Sequence, residues 1–152
     1  MGSPAFTFRL ERVRSLRERA EEQARENLAA GLNARLQSEA LLQQAAGAAR
    51  AARDATLGTA LRGASGHDLL AAQAYSERRE AERQSAALDL HRRDTEVAAR
   101  RAALTAAARD REVIERLERR KRAEHAAEVA RVEQIELDEI ALGVHRRGQV
   151  AA

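Results

Sequence analysis

The 152 residues predict an all-α fold, an elongated antiparallel two-helix coiled coil with a longer second helix. Three observations carry that expectation. The chain is 44% hydrophobic, but largely through alanine, and its aromatic residues are only Phe6, Phe8 and Tyr75, so the large anchors that dominate globular cores are nearly absent. Alanine, leucine, glutamate, glutamine and arginine, all strong helix formers, fill most of the rest, and 34% of residues are charged. Proline occurs only as Pro4, and Gly58, Gly63 and Gly66 form the one tight glycine cluster, so a single interruption is expected in one helical hairpin over residues 1–152.

The first helix is expected over about 6–57. Phe6, Leu10, Val13, Ala20 and Ala24 fall on one 4-3 spaced stripe, interrupted by Arg17 and Asn27, and Leu28, Leu32 and Leu36 continue it in a shifted phase. The stripe fades through LLQQAAGAARAARDA, where alanines allow close helix contact but bury little area each. The turn is expected over about 58–66, where the glycines let the chain reverse. Ser65 then caps a new helix, with Asp68 three residues on standing in for the usual glutamate of a capping box.

The second helix is expected over about 67–145, with Leu90, Val97 and Leu104 seven apart and Ile114 and Leu117 in a shifted phase. Pairing it with the shorter first arm leaves roughly 25 residues, about 40 Å of helix, without a partner in the hairpin. That overhang carries Val129, Val132, Ile135, Leu137, Ile140, Leu142 and Val144, an apolar set that needs something to pack against.

Catalytic readings fail on chemistry. GTALRGAS, residues 58–65, echoes a phosphate-binding loop, but Ala64 stands where the lysine must reach the outer phosphates, and no apolar strand precedes it. His67, His91, His125 and His145 are far apart, with no metal-ligand spacing, so no metal or other cofactor is expected. HRRD at 91–94 lacks the asparagine and glycine-rich lid of a kinase. The carboxylates sit beside arginines on solvated faces, with no enclosed pocket to raise a pKa, so an enzyme is not expected. With no cysteine, disulfides and thiolate metal sites are excluded, and no apolar run approaches the ~20 residues of a membrane span. MGSPAF has neither the hydrophobic core of a signal peptide nor the later Ser/Thr of a myristoylation site, so a soluble protein is expected.

The opening FTFRLERVRSLRERAEEQARENLA, the restart ASGHDLLAAQAYSERRE and above all the closing LERRKRAEHAAEVARVEQIELDEIAL resemble the FliJ family of bacterial flagellar export proteins, over nearly the whole chain. The resemblance implies a non-enzymatic, cytoplasmic component of the flagellar type III secretion apparatus, similar to part of the rotary ATP synthase γ subunit and held at the inner membrane through its partners. It implies binding to the hexameric export ATPase FliI, promotion of its ring assembly, and contact with the export gate FlhA and export chaperones. Carried onto this chain, the ring-facing residues are Phe6, Leu10, Val13, Arg120, Arg122, Val132, Ile135, Leu137, Asp138, Glu139 and Ile140. Those facing the gate are Leu41, Ala45, Ala48, Tyr75 and Arg79, where this sequence departs from the family by placing alanines at commonly bulkier positions. For Tyr75, packing across the hairpin and anchoring an interface are equally open.

Two other classes of binder stay in view. RLERRKR, residues 116–122, gives an arginine-rich coiled coil or generic scaffold some affinity for nucleic acid, against which stand the interspersed acids behind a net charge of only +3 and the lack of base-stacking aromatics. An amphipathic helix could lie on a membrane, but its apolar face lacks the tryptophan and phenylalanine typical of that role.

Overall fold

The computed structural model describes residues 5–150, with side chains to residue 146. Among the described residues there are two helices and no strand: α1, Glu11–Leu61, and α2, Gly66–Val150, the longer. Two compact units divide the chain, Glu21–Ala106 and Met1–Ala20 with Ala107–Ala152.

In Glu21–Ala106 the chain folds back on itself as an antiparallel helical hairpin. The turn occupies four residues, 62–65, rather than 58–66. Gly58 lies inside α1 and Gly66 is the first residue of α2; only Gly63 has a positive φ, 68°. Its N–H donates to the carbonyl of Ala60 at 3.1 Å, one of the bonds that close a left-handed helix end. A glycine inside a helix costs only about 1 kcal/mol against alanine, and α1 runs on while it still meets α2: the Thr56 hydroxyl is shared between the carbonyls of Ala52 and Ala72, at 2.9 and 3.2 Å. Ser65 caps α2 as expected, its Oγ accepting from the N–H of Asp68 at 3.2 Å. The return half of the capping box differs. The Asp68 carboxylate accepts from the Ser65 hydroxyl at 2.6 Å, because aspartate is one methylene shorter than glutamate.

The seam of this hairpin keeps a strict 4-3 spacing in both helices. On α1 the covered positions run through Ala24, Leu28, Gly31, Arg35, Ser38, Leu42, Ala45, Ala49, Ala52 and Thr56, and on α2 through Leu69, Ala72, Ser76, Arg79, Arg83, Ala86, Leu90, Arg93, Val97, Arg100 and Leu104. Ala49, Ala52 and Val97 are its buried hydrophobic residues. Leu36, expected in the stripe, is 59% exposed, and Ala20 is exposed too. Arginine stems take the places that leucines would hold in an ordinary coiled coil: apolar methylenes lie along the seam while the guanidinium reaches its rim. Arg35 Nε donates to Asp94 at 2.6 Å, and Arg100 Nη1 donates to the carbonyl of Asn27 at 2.6 Å. The Ser38 hydroxyl, 5% exposed, donates to Asp89 at 2.7 Å.

In the other unit, residues 5–20 run antiparallel to 107–125. Arg17 pairs with Asp110 at 2.8 Å and Arg14 with Glu118 at 3.2 Å. Arg14 and Arg17 are thus part of the contact, where the sequence reading had Arg17 as an interruption. Ile114 and Glu118 keep the spacing of the α2 seam with no shift of phase. Helix α1 begins at Glu11 rather than at 6, its first turn set by Glu11 N–H to Phe8 O at 3.2 Å. In a helix, positions 6 and 8 would diverge by about 200°; the non-helical segment lets both rings lie against α2.

Candidate functional site

Where the paired helices end, residues 5–10 cross α2 and enclose a cleft of about 380 Å³ lined by Phe6, Phe8, Leu10, Leu117, Lys121 and His125, among others. The Phe6 ring meets His125 edge to face, with centroids 5.6 Å apart at 64°. From above, the Arg122 guanidinium lies 5.4 Å from the centre of the same ring, a cation–π contact that holds Phe6 on the helix. Phe6 and Val13 are half-buried, whereas Leu10 is partly exposed. The sequence reading missed Phe8, Leu117, Lys121 and His125 as members of this cleft; the alternation Phe6-Thr7-Phe8 was the available signal, since period-two spacing belongs to an extended segment.

The bases beside the cleft are engaged within α2. Arg120 and Lys121 share Glu124, at 2.9 and 2.8 Å, and hold its carboxyl below its usual value, Lys121 being the larger influence. Arg122 pairs with Glu118 at 3.0 Å and Arg116 with Glu112 at 2.6 Å. Four of the five bases in RLERRKR are therefore offset by i,i+3 or i,i+4 carboxylates, which weakens a nucleic-acid reading of that stretch.

Beyond His125 the helix loses cover. Every residue from 130 to 142 is exposed, and among them are Val132, Ile135 at 44%, Leu137 at 61%, Ile140 at 62% and Leu142. Asp138 accepts a hydrogen bond from Gln134 at 2.9 Å; Glu139 is exposed beside Ile140. Of the expected ring-facing set, Phe6 and Leu10 line the cleft and Arg122 lies over the Phe6 ring; Val13 is half-buried on α1 and Arg120 is exposed on α2, neither lining the cleft, and the other six lie on the helix that continues past it.

The gate-facing set does not gather in one place. Tyr75 is 43% exposed and carries the Arg79 guanidinium 5.0 Å from its ring centre, while Arg79 also donates to Glu82 at 2.7 Å. Ala45 and Ala48 are half-buried against the seam, and Leu41 is exposed. The pairing of Thr56 with Ala72 and of Arg53 with Glu80 puts Tyr75 beside the last turns of α1, about 20 Å of helix from Leu41.

The described residues thus form two long helices, the second of which carries exposed apolar side chains beyond His125. The family model for the flagellar FliJ protein matches residues 6–149, and the chain belongs to that family. No match was found among curated proteins or among solved structures. Membership makes the chain a component of the flagellar protein export apparatus.

Proposed function

We propose that this chain is a non-enzymatic stalk of the flagellar export apparatus, which binds the hexameric export ATPase FliI and promotes assembly of its ring. The observation that carries this reading is the exposed apolar helix beyond His125, because an isolated helix bearing Val132, Ile135, Leu137, Ile140 and Leu142 is marginal in water and is stabilised by packing. The cleft lined by Phe6 and Leu10, with Arg122 over the Phe6 ring, completes the ring-facing surface together with Val13 on α1 and Arg120, Asp138 and Glu139 on α2. The hairpin near Leu41, Ala45, Ala48, Tyr75 and Arg79 contacts the export gate FlhA and export chaperones. No helix among the described residues is long and apolar enough to cross a membrane; the chain works on the cytoplasmic side and reaches the inner membrane through these partners.

The experiment is retention and activation: the purified full chain is added to the export ATPase of the same organism, and complex formation, oligomeric state and ATP turnover are measured. A stable complex with raised turnover and more hexamer is expected. Unchanged turnover with no co-elution at micromolar concentrations would remove the reading.

A further inference from the structure

Within one unit of the chain, the cleft and the helix past it share a face of α2 and carry opposite charge. At about 100° per residue, Lys121 and Glu139 fall on one line along the helix, and Leu117, His125, Val132 and Ile135 lie within about 40° of it. The cleft has an apolar floor that includes Phe6, Phe8 and Leu117, and two cations, Arg9 and Lys121. Lys121 is shared with Glu124, whereas Arg9 makes no ion pair among the described residues. The helix beyond is the converse. From Val132 to His145 the sequence has four acids, Glu133, Glu136, Asp138 and Glu139, and no lysine or arginine. Glu136 and Glu139 are exposed and likewise without an ion pair among the described residues, beside exposed Ile135 and Leu142.

Each surface supplies what the other lacks, yet one copy cannot join them, because the helix between holds Lys121 and Glu139 about 27 Å apart. A second copy, laid antiparallel along the same face, can. The register that sets Lys121 of one copy opposite Glu139 of the other also sets His125 opposite Ile135, so that Ile135 and Leu142 meet the two ends of the cleft. Both copies carry both surfaces, so the contact forms twice about a two-fold axis beside Arg131 and closes on itself. Near that axis the two Glu128 carboxylates approach one another, and each is offset by its own Arg131 at 2.6 Å. Anionic lipid or nucleic acid could meet the cations of the cleft, but the neighbouring acids repel both and the apolar helix would stay uncovered.

We propose that two copies of this chain pair through α2, the acidic apolar stretch 132–142 of each seated against the Phe6, Phe8, Arg9 and Lys121 cleft of the other. Only one face of each helix is covered, which is small for a protein interface, so the dimer is weak, with a Kd on the order of 100 µM. The pairing needs no partner but the chain itself and stands whether or not the export ATPase binds.

Sedimentation equilibrium of the full chain, loaded from about 5 to 500 µM, should show the apparent mass rise from 16.7 kDa toward twice that value and no further. Arg9→Glu with Lys121→Glu makes the cleft acidic, and Glu136→Lys with Glu139→Lys makes the helix basic; circular dichroism checks that both stay helical. Each pair alone sets like charges together at both contacts and should weaken dimerisation at least about tenfold. Mixed in equal amounts, the two variants restore opposite charges at both contacts and should associate within about threefold of the unaltered chain. Glu26→Lys with Glu77→Lys changes net charge as much as the helix reversal does, on exposed sites of the hairpin, and should weaken dimerisation by less than about threefold. A monomer at every loading, mass that grows beyond the dimer, or reversals without effect would overturn the pairing. So would a mixture no better than its parts, or a Glu26/Glu77 reversal as damaging as the other two.

Discussion

Arg100 lies across the backbone of α1 where Gly31 has no side chain: a Cβ there would stand 2.8 Å from its Cδ. Its Nη1 takes the carbonyl of Asn27, which sits one turn before Gly31 in the helix. Gly31→Ala gains roughly 1 kcal/mol of helix propensity but displaces this stem. In an Arg100→Ala background the substitution should therefore stabilise by about 1 kcal/mol, and in the unaltered chain by less than half of that or not at all, measured by urea unfolding. Equal effects would mean that the stem is not held. Ser38 and Asp89 make the second such lock. The Ser38 hydroxyl, and after it Arg92, hold the Asp89 carboxyl below its ordinary 3.8. A carboxyl depressed on folding contributes stability that is complete above its unfolded value and lost as pH falls through the lower folded value. The gap in Tm between the unaltered chain and Ser38→Ala should accordingly be full at pH 6 and shrink below pH 3.8. A gap constant with pH would assign Ser38 a packing role only.

At the scale of the elements, both helices, the Ser65 cap and the exposed end of α2 are legible in the sequence, because propensity, capping chemistry and an unmatched run of Val, Ile and Leu are local signals. The seam is not. A reader who follows apolar residues picks Ala20 and Leu36, while the covered line passes through Arg35, Ser38, Arg93 and Arg100, whose apolar stems are invisible to a hydrophobic pattern. The cleft was hidden for a related reason, since Phe6 and Phe8 line one cleft with Leu117 and His125 only when residues 5–8 leave the helical path. The turn was half legible: three glycines announce a break, but only a backbone of positive φ says which one makes it. Gly63→Ala forces a Cβ into the left-handed region and should cost about 1 kcal/mol. Gly58→Ala sits in a helix with only the mobile tip of Arg62 nearby, at 3.3 Å, and should stabilise by about 0.5–1 kcal/mol. Thermal unfolding of the two variants reads the difference directly; a loss at Gly58 as large as that at Gly63 would put the turn earlier in the chain.

Over the whole molecule, the covered seam and the exposed helix answer to different demands, and they can be separated by where a charge is placed. Val97 is 4% exposed at the centre of the hairpin seam. Val97→Asp puts a carboxylate at a buried apolar position, and although Arg93 and Arg100 lie one turn to either side on the same face, loss of the valine packing and desolvation of the acid should cost about 1–3 kcal/mol, seen as lost helicity and a Tm lower by several degrees, on the order of 5 °C. Leu104→Asp, at a half-buried seam position, should act in the same direction. Ile135 and Leu137 have little to lose in the free chain, being exposed already. Ile135→Asp with Leu137→Asp should leave circular dichroism and Tm close to those of the unaltered chain. If this helix is the part of the stalk that the ATPase encloses, the same pair places two further negative charges in a contact from which water is excluded, on both flanks of the helix. Stimulation of ATP turnover and ring assembly should then disappear although the fold is intact. The discriminating result is turnover measured beside helicity for each variant: stimulation that survives the Ile135/Leu137 pair, in a chain of unchanged circular dichroism, would move the ATPase contact away from the end of α2 and back to the cleft around Phe6 and His125.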